Sequence, residues 1–303
     1  MKYNPATDIP DLSGKVIFVT GGTAGIGKEA VLALAKHNPG RIYFSGRNAA
    51  RADEIIAEIR SESPSTDLVF VECDQSSLAS VEQAAKKIVS GSDRLDIVIA
   101  SAGIMNVPPA VTRDGYEIHF AVNHIAHALF IKLFLPTLLH TAELPNADVR
   151  IVSVTSQAFA MHPTGGILLD DLRTTQGFGL VKFTRYGQSK LANLLYAAEF
   201  ARRYPQITAV SIHPGVVRTE LLASLSFFTR TMAFLTHPFS MLTPAEGAYN
   251  QLWAATGDKS KIVNGEFYEP VAVPGGHARR SRDQKLAAHL WEWTDKELED
   301  YRI

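Results

Sequence analysis

The chain has one cysteine, Cys73, among 303 residues. A lone thiol closes no internal disulfide, which excludes a stapled secreted scaffold and suits a reducing compartment. Excess charge of either sign is also missing. Thirty Lys and Arg stand against 31 Asp and Glu, a formal net charge of -1. That balance gives no sign of a nucleic-acid-binding tail or of an acidic solvating segment. No run of about twenty apolar residues stands in the sequence, so no membrane span is expected. Residues 221–242 come nearest, and Arg230 and His237 interrupt them. Met1-Lys2-Tyr3-Asn4-Pro5 lacks the apolar centre of a signal peptide, which leaves a cytoplasmic location as the default expectation.

What is present is apolar residue in short bursts. Hydrophobic residues make up 46% of the chain, enough for one large domain with a substantial core. No composition break, repeat or low-complexity tract marks a second domain, so residues 1–303 are expected to be one domain, with a core over roughly 14–270. Lys15 to Thr20 is a β-branched apolar run of the length of a buried parallel strand. It leads into Gly21-Gly22-Thr23-Ala24-Gly25-Ile26-Gly27, and Lys28 to His37 then reads as a helix. Strand, glycine turn and helix form the context in which glycines let the backbone approach a pyrophosphate and the helix offers free N–H groups. The alternative is a plain glycine-rich turn.

Further strands are expected at 41–45, 68–71, 95–100, 150–155, 207–213 and 265–268, with helices at 50–60, from near Ser77, at 114–140, from Tyr186 to Arg203, at 245–256 and at 283–301. This βα rhythm predicts an α/β fold: a doubly wound, Rossmann-type parallel sheet with helices on both faces. In such a fold the end of the second strand faces the adenosine ribose. Here it reads Gly46-Arg47-Asn48, with no acid until Asp53. An Arg without a carboxylate suits a 2′-phosphate, so NADP(H) is expected over NAD, against the alternative of a solvated loop cation. Asp74, past the third strand, either accepts from an adenine amino group or caps the next helix. Ser101-Ala102-Gly103 ends the fourth strand with small residues that permit close cofactor approach.

Asn123 stands mid-helix, where propensity disfavours it. His124 and His127 lack a third plausible ligand, so no metal is expected and helix-packing histidines are the better reading. Ser156 sits at a strand's carboxyl end, the functional rim of an open α/β sheet. Tyr186-Gly187-Gln188-Ser189-Lys190 places a phenol and an ammonium at i and i+4, on one helical face. The ammonium favours the phenolate and is expected to lower the Tyr186 pKa, so that the phenol exchanges a proton with a substrate oxygen. Two such residues alone are more often a surface pair. Residues 220–242, rich in Leu, Phe and Met, read as an apolar substrate lid, with core packing and a membrane-surface helix as alternatives.

The ordered set of these motifs resembles the short-chain dehydrogenase/reductase family over roughly residues 14–270. Thr20-Gly21-x-x-x-Gly25-x-Gly27 is similar to that family's cofactor loop, Asn123, Ser156, Tyr186 and Lys190 to its catalytic tetrad, and Pro214-Gly215 with Val217 and Thr219 to its nicotinamide-side loop. Asp170-Asp171-Leu172 and Ser189-Lys190-Leu191-Ala192-Asn193 look most like the retinol-dehydrogenase-like and WW-domain-oxidoreductase-like branch. One departure stands out, Ser101-Ala102-Gly103 where the family often has Asn-Ala-Gly, which opens the question of how that strand end is braced.

The resemblance implies hydride transfer between a nicotinamide and a carbonyl or secondary alcohol carbon. Tyr186 is then the proton donor, Ser156 orients the oxygen, Lys190 holds the ribose, and Asn123 holds a water. Thr219 and the Val217 backbone fix the carboxamide. The resemblance also implies a homo-oligomer built on the helices near 114–140 and 186–203. The expected partner is an apolar small molecule, without nucleic acid and without a membrane span, though peripheral membrane contact stays open. A catalytically silent NADP(H)-binding sensor is the rival class. A serine hydrolase is discounted, because no Gly-x-Ser-x-Gly is found.

Overall fold

The computed structural model describes residues 3–63, 65–175, 182–218, 241–276, 278 and 280–303. Eight strands form one sheet in the order β3-β2-β1-β4-β5-β6-β7-β8. They are β1 (Val16–Val19), β2 (Arg41–Gly46), β3 (Leu68–Glu72), β4 (Ile97–Ala100), β5 (Arg150–Val154), β6 (Thr208–Ile212), β7 (Phe267–Glu269) and β8 (Val273–Pro274). All pairs are parallel except β7 with β8, an antiparallel two-residue edge that the sequence pattern did not predict. The chain winds outward from β1 to β3, crosses back to β4, and winds outward the other way. The crevice beyond β1 and β4, where the order reverses, is the ligand position of such sheets.

β1 is apolar throughout because both of its faces are covered, and the two faces feed two cores. Phe18 packs among Phe130 and Phe134, with ring centroids at 4.9 and 5.4 Å. Ile17 and Val19 point the other way, into the core that holds Val31, Leu34, Phe44 and Ile55. Helices α2 (Gly25–Ala35), α3 (Ala49–Glu62) and α8 (Pro244–Thr256) supply this second core, with the short α1 (Pro5–Asp8) beside it. Helices α4 (Leu78–Gly91), α6 (Ala126–Ala142) and α7 (Lys182–Arg203) supply the first, together with α9 (Gln284–Glu297).

Several boundaries differ from the sequence expectation for local reasons. α2 begins at Gly25 rather than Lys28, because the glycines of the turn are themselves its first turn. Their low helix propensity hides the start, yet a Cβ on Gly27 would stand 2.4 Å from the Gly21 carbonyl oxygen, so the close approach requires glycine. α7 is already helical at Lys182, which puts Tyr186 in its second turn rather than at its start. The predicted helix at 114–140 begins at Ile118, capped by the Glu117 carboxylate accepting from the Phe120 N–H at 2.8 Å. It runs as α5 (Ile118–Phe120), a π-helical turn (Ala121–Ile125) and α6.

The span Ile118–Ala142 is long and apolar enough to cross a membrane by length and composition alone, with Asn123, Lys132 and several histidines interrupting it. Its most apolar window is 83% buried, as befits a core helix wedged between sheet and neighbours.

α9 lies against α7 and over the turn that carries Asn123, on the pair of helices that the resemblance assigns to a dimer face. Trp291 stacks on Tyr196 with centroids 4.7 Å apart and planes 15° apart, and the Arg203 guanidinium lies 4.9 Å from the Trp291 ring. Trp293 meets Phe120 edge-on, and the Tyr116 hydroxyl donates to Glu297 at 2.6 Å. Trp291→Ala removes the stacked face, and we expect a loss of about 2–4 kcal/mol in urea unfolding, somewhat below the cost of deleting a fully buried aromatic. An unchanged unfolding midpoint would contradict this docking.

Candidate active site

The carboxyl ends of the central strands surround a cleft of about 590 Å³. The glycine turn after β1 and the start of α2 form one wall, through Gly25, Ile26 and Gly27, with Arg47 at the rim. Ser101, Ala102 and Gly103 line it from the end of β4, and Ser156, Tyr186 and Lys190 from β5 and α7. Val217 and the 213–216 segment after β6 close the far side. Gly21, Thr23, Asp74 and Asn123 are not among the lining residues. Thr219 and residues 220–240 of the expected lid lie outside the described residues. Its last residue, Leu242, forms a parallel bridge with Val217.

The glycine turn fits a dinucleotide phosphate. Gly21 and Gly25 hold φ of +67° and +53°, which side chains rarely adopt, and a Cβ on Gly21 would meet Ala102 Cα at 3.0 Å. No side chain caps α2, whereas α3, α4 and α8 are capped by Asn48, Ser77 and Thr243. The first-turn N–H groups of α2 are thus left for an anion. Thr23 packs over the end of β2, where a Cβ on Gly46 would fall 2.4 Å from its hydroxyl. Arg47 is exposed at the rim, and the register sets Glu72 of β3 opposite Gly46, an acid that sequence adjacency did not show. Asp74 closes its own turn, accepting from the Ser76 N–H at 3.0 Å and the Ser76 hydroxyl at 2.8 Å, and Ser77 caps α4 instead.

Tyr186 and Lys190 do share a helical face, and both are buried, 5% and 3% exposed. Lys190 Nζ donates to the Val154 carbonyl at 2.9 Å and lies 5.7 Å from the Tyr186 ring centroid. Burial pushes the Lys190 ammonium down to about 8. Burial also pushes the Tyr186 phenol up to about 12, against the opposing hydrogen bond with the Ser156 hydroxyl. The expected lowering of Tyr186 by Lys190 is therefore corrected. Desolvation disfavours the charged form of both groups and sets the direction of both shifts.

Ser156 reaches Tyr186 because a 3-10 turn, Gln157–Met161, folds tightly against α7. A Cβ on Gly187 would stand 2.6 Å from the Ala158 carbonyl oxygen, so glycine is required there. This positioning residue was missed in the sequence, where a glycine inside a helix next to a candidate tyrosine was the available signal.

Asn123 sits in the π turn, just behind the cleft-lining residues Gly103 and Ile104. Its amide grips Ile104 through both backbone groups, at 2.8 and 3.0 Å, and donates to Ser189 Oγ at 2.9 Å. Ser101 keeps its Oγ buried without a partner. Its backbone N–H and that of Ala102 instead donate to the Thr20 hydroxyl, at 2.9 and 3.0 Å, which answers how the strand end is braced. His213, also missed, lines the cleft and is pushed down to about 4 by burial, so its ring is neutral at pH 7. Cys73 is buried and pushed up to about 12, an unreactive thiol. Among the described residues no cluster of His, Cys, Asp and Glu could hold a metal ion.

The sequence model of the short chain dehydrogenase family matches residues 15–168. An uncharacterised oxidoreductase of Schizosaccharomyces pombe is 38% identical over 97% of this chain and 88% of its own length. Human retinol dehydrogenase 11 is 33% identical over 94% of this chain and 86% of its own. The chain belongs to the short-chain dehydrogenase/reductase family. It is an oxidoreductase of that family, which works with a nicotinamide cofactor. Among solved structures, a protein from Mycobacterium paratuberculosis superposes with a TM-score of 0.73 at 26% identity, covering 99% of this chain and 98% of that one. NADPH-bound carbonyl reductase from chicken fatty liver shares the fold, with a TM-score of 0.63 at 22% identity over 90% and 98% of the two chains.

The two buried groups give stability a defined pH dependence. Between about 8 and the ordinary 10.5, the unfolded chain keeps a proton that folded Lys190 has lost, so stability rises with pH. Between 10.0 and about 12, folded Tyr186 keeps a proton that the unfolded chain has lost, so stability falls. We expect Lys190→Met to abolish the rise from pH 8 to 10 in urea-unfolding series. Parallel curves for the two proteins would show that Lys190 is not depressed.

Proposed function

We propose that the chain is an NADP(H)-dependent reductase or dehydrogenase acting on the carbonyl or secondary alcohol of an apolar small molecule: a ketone or aldehyde, or a steroid-, retinoid- or polyketide-like compound. One observation carries the reading. A buried, proton-holding Tyr186, its hydrogen-bonded Ser156 and Lys190 converge at one end of a cleft whose other end is an uncapped helix start with Arg47 at its rim.

The residues divide the work. The Gly21–Gly27 turn and the amides of α2 would hold the pyrophosphate, with Arg47 on the 2′-phosphate. Lys190 would hold the nicotinamide ribose, and the segment containing Val217 and Thr219 the carboxamide. When bound, the nicotinamide supplies or accepts hydride at the substrate carbon. In the reducing direction Ser156 orients the carbonyl oxygen. Tyr186 gives its proton to that oxygen as negative charge grows there, and a phenol that stays protonated at neutral pH is the right starting state. Lys190, still largely protonated at pH 7, adds positive charge next to the phenolate that Tyr186 becomes. Asn123 acts through structure, fixing the 103–105 loop and the Ser189 turn of α7.

Substrate polarity follows from the wall. Ile104, Met105, Val107, Val154 and Val216 line the cleft, and the Leu-, Phe- and Met-rich 220–242 segment stands next in the chain. A silent sensor is disfavoured because all four tetrad residues are kept.

Two measurements test the reading. NADPH oxidation against a panel of apolar aldehydes, ketones and quinones should find turnover that drops by about 10²–10⁴-fold in Tyr186→Phe. Arg47→Glu should raise the NADPH dissociation constant at least about tenfold and leave NADH binding nearly unchanged, since a charge-assisted contact is lost. Near-normal turnover in the first variant refutes the proton-donor role, and unchanged NADPH binding in the second refutes the cofactor preference.

A further inference from the structure

His127 is 4% exposed, lies outside the cleft, and takes part in no step above. Its ring nonetheless touches three segments. Nδ1 stands 2.9 Å from the Asn123 carbonyl oxygen, which can only accept, so Nδ1 carries the hydrogen. Nε2 is then an acceptor. It faces the Gln75 amide nitrogen at 3.1 Å, and that nitrogen also donates to the Val122 carbonyl at 3.1 Å. It faces the Thr20 hydroxyl at 2.9 Å. Thr20 already accepts from the Ser101 and Ala102 N–H groups, so its own proton is free to go to Nε2. In this tautomer no two donors face each other, and the single Nε2 lone pair is shared between the Gln75 N–H and the Thr20 O–H. A second ring proton would meet the Gln75 N–H and the Thr20 O–H head-on, and burial and the nearby Lys190 charge also keep the ring neutral, pushed down to about 4.

The chain of bonds continues beyond His127. The Asn123 side chain holds Ile104 and donates to Ser189 Oγ, which in turn donates to the Tyr186 carbonyl at 2.7 Å. We infer that His127 is a positioning residue: as a neutral Nδ1–H imidazole it locks the cofactor-facing end of β4, through Thr20, to the π turn of Asn123 and so to the helix of Tyr186. It supplies, from a neighbouring helix, rigidity at a strand end whose own Ser101 side chain makes no hydrogen bond. The effect on cofactor binding rests on the nicotinamide reading above; the effect on the strand end does not.

The test uses the full chain with two readouts. Amide hydrogen exchange in a peptide covering 99–105, without cofactor, reports the strand end; NADPH fluorescence titration reports the site. His127→Phe keeps volume and loses all three ring hydrogen bonds, so exchange should speed up and the NADPH dissociation constant rise about tenfold, the cost of stranding buried polar groups. His127→Gln, whose amide oxygen can take the Thr20 proton, should return both to within about threefold of wild type. Thr20→Val should reproduce the Phe phenotype, Thr20→Ser should not, and the double variant His127→Phe/Thr20→Val should be no worse than the worse single one.

If His127→Phe does not fold, the Gln variant and the Thr20 pair decide. Wild-type exchange in folded His127→Phe, or in Thr20→Val, overturns the inference, as do additive effects or a Gln variant as impaired as Phe. Loss of strand-end protection in a protein that never bound NADPH supports the inference and counts against the cofactor reading alone.

Discussion

The joint between the sheet and α7 centres on the carbonyl oxygen of Val154. Lys190 Nζ donates to it at 2.9 Å and Asn193 Nδ2 at 3.3 Å, while Thr155 Oγ donates back to the Lys190 carbonyl at 2.6 Å. Val154 ends β5, and Ser156 follows two residues later. Fixing this strand end against α7 therefore fixes Ser156, Tyr186 and Lys190 relative to one another. The ammonium is buried, so its hydrogen bond is obligatory rather than optional, and its loss would strand a charge. Glycine at 187 completes the joint by letting the 157–161 backbone lie directly on the helix.

The cleft is thus rigid on one side and open in its demands on the other. Around the tetrad, buried side chains are tied to backbone groups, through Thr155, Asn123, Ser189 and Asn193. Around the glycine turn, backbone N–H groups are left unfilled and a guanidinium stands exposed. On the proposed reading, the glycine-turn wall keeps donors in reserve for an anion and the tetrad wall keeps its titrating groups dry. Both follow from the same topology, because the strand ends that supply them flank the reversal between β1 and β4.

Burial also decides the electrostatics of the site. A phenol and an ammonium at i and i+4 suggest mutual charging when they are drawn on a helical wheel. Inside the fold both lose water, and that lost hydration sets the direction of both shifts. The phenol keeps its proton at neutral pH, the starting state that the proposed donor role requires. The same effect keeps His127 neutral, which lets its ring accept at Nε2 and donate at Nδ1.

The sequence by itself determined the layered α/β order, the glycine turn, the placement of Ser156 and the Tyr186–Lys190 pair, because these depend on local periodicity and on residue types that only certain turns and chemistries need. It did not determine helix starts such as Gly25, where propensity argues against what packing requires. Nor did it show that Glu72 lies opposite Gly46, that the Asn123 amide holds Ile104 and Ser189, or that α9 covers the α7 face. It read His127 as a packing residue, without the bonds that reach Thr20 and Asn123. Those facts concern residues up to 181 positions apart, as in the bond from Tyr116 to Glu297, and only the folded chain brings them together. The pKa directions belong to the same class. Spacing tells which groups are neighbours, but the water each one loses is set by everything packed around it.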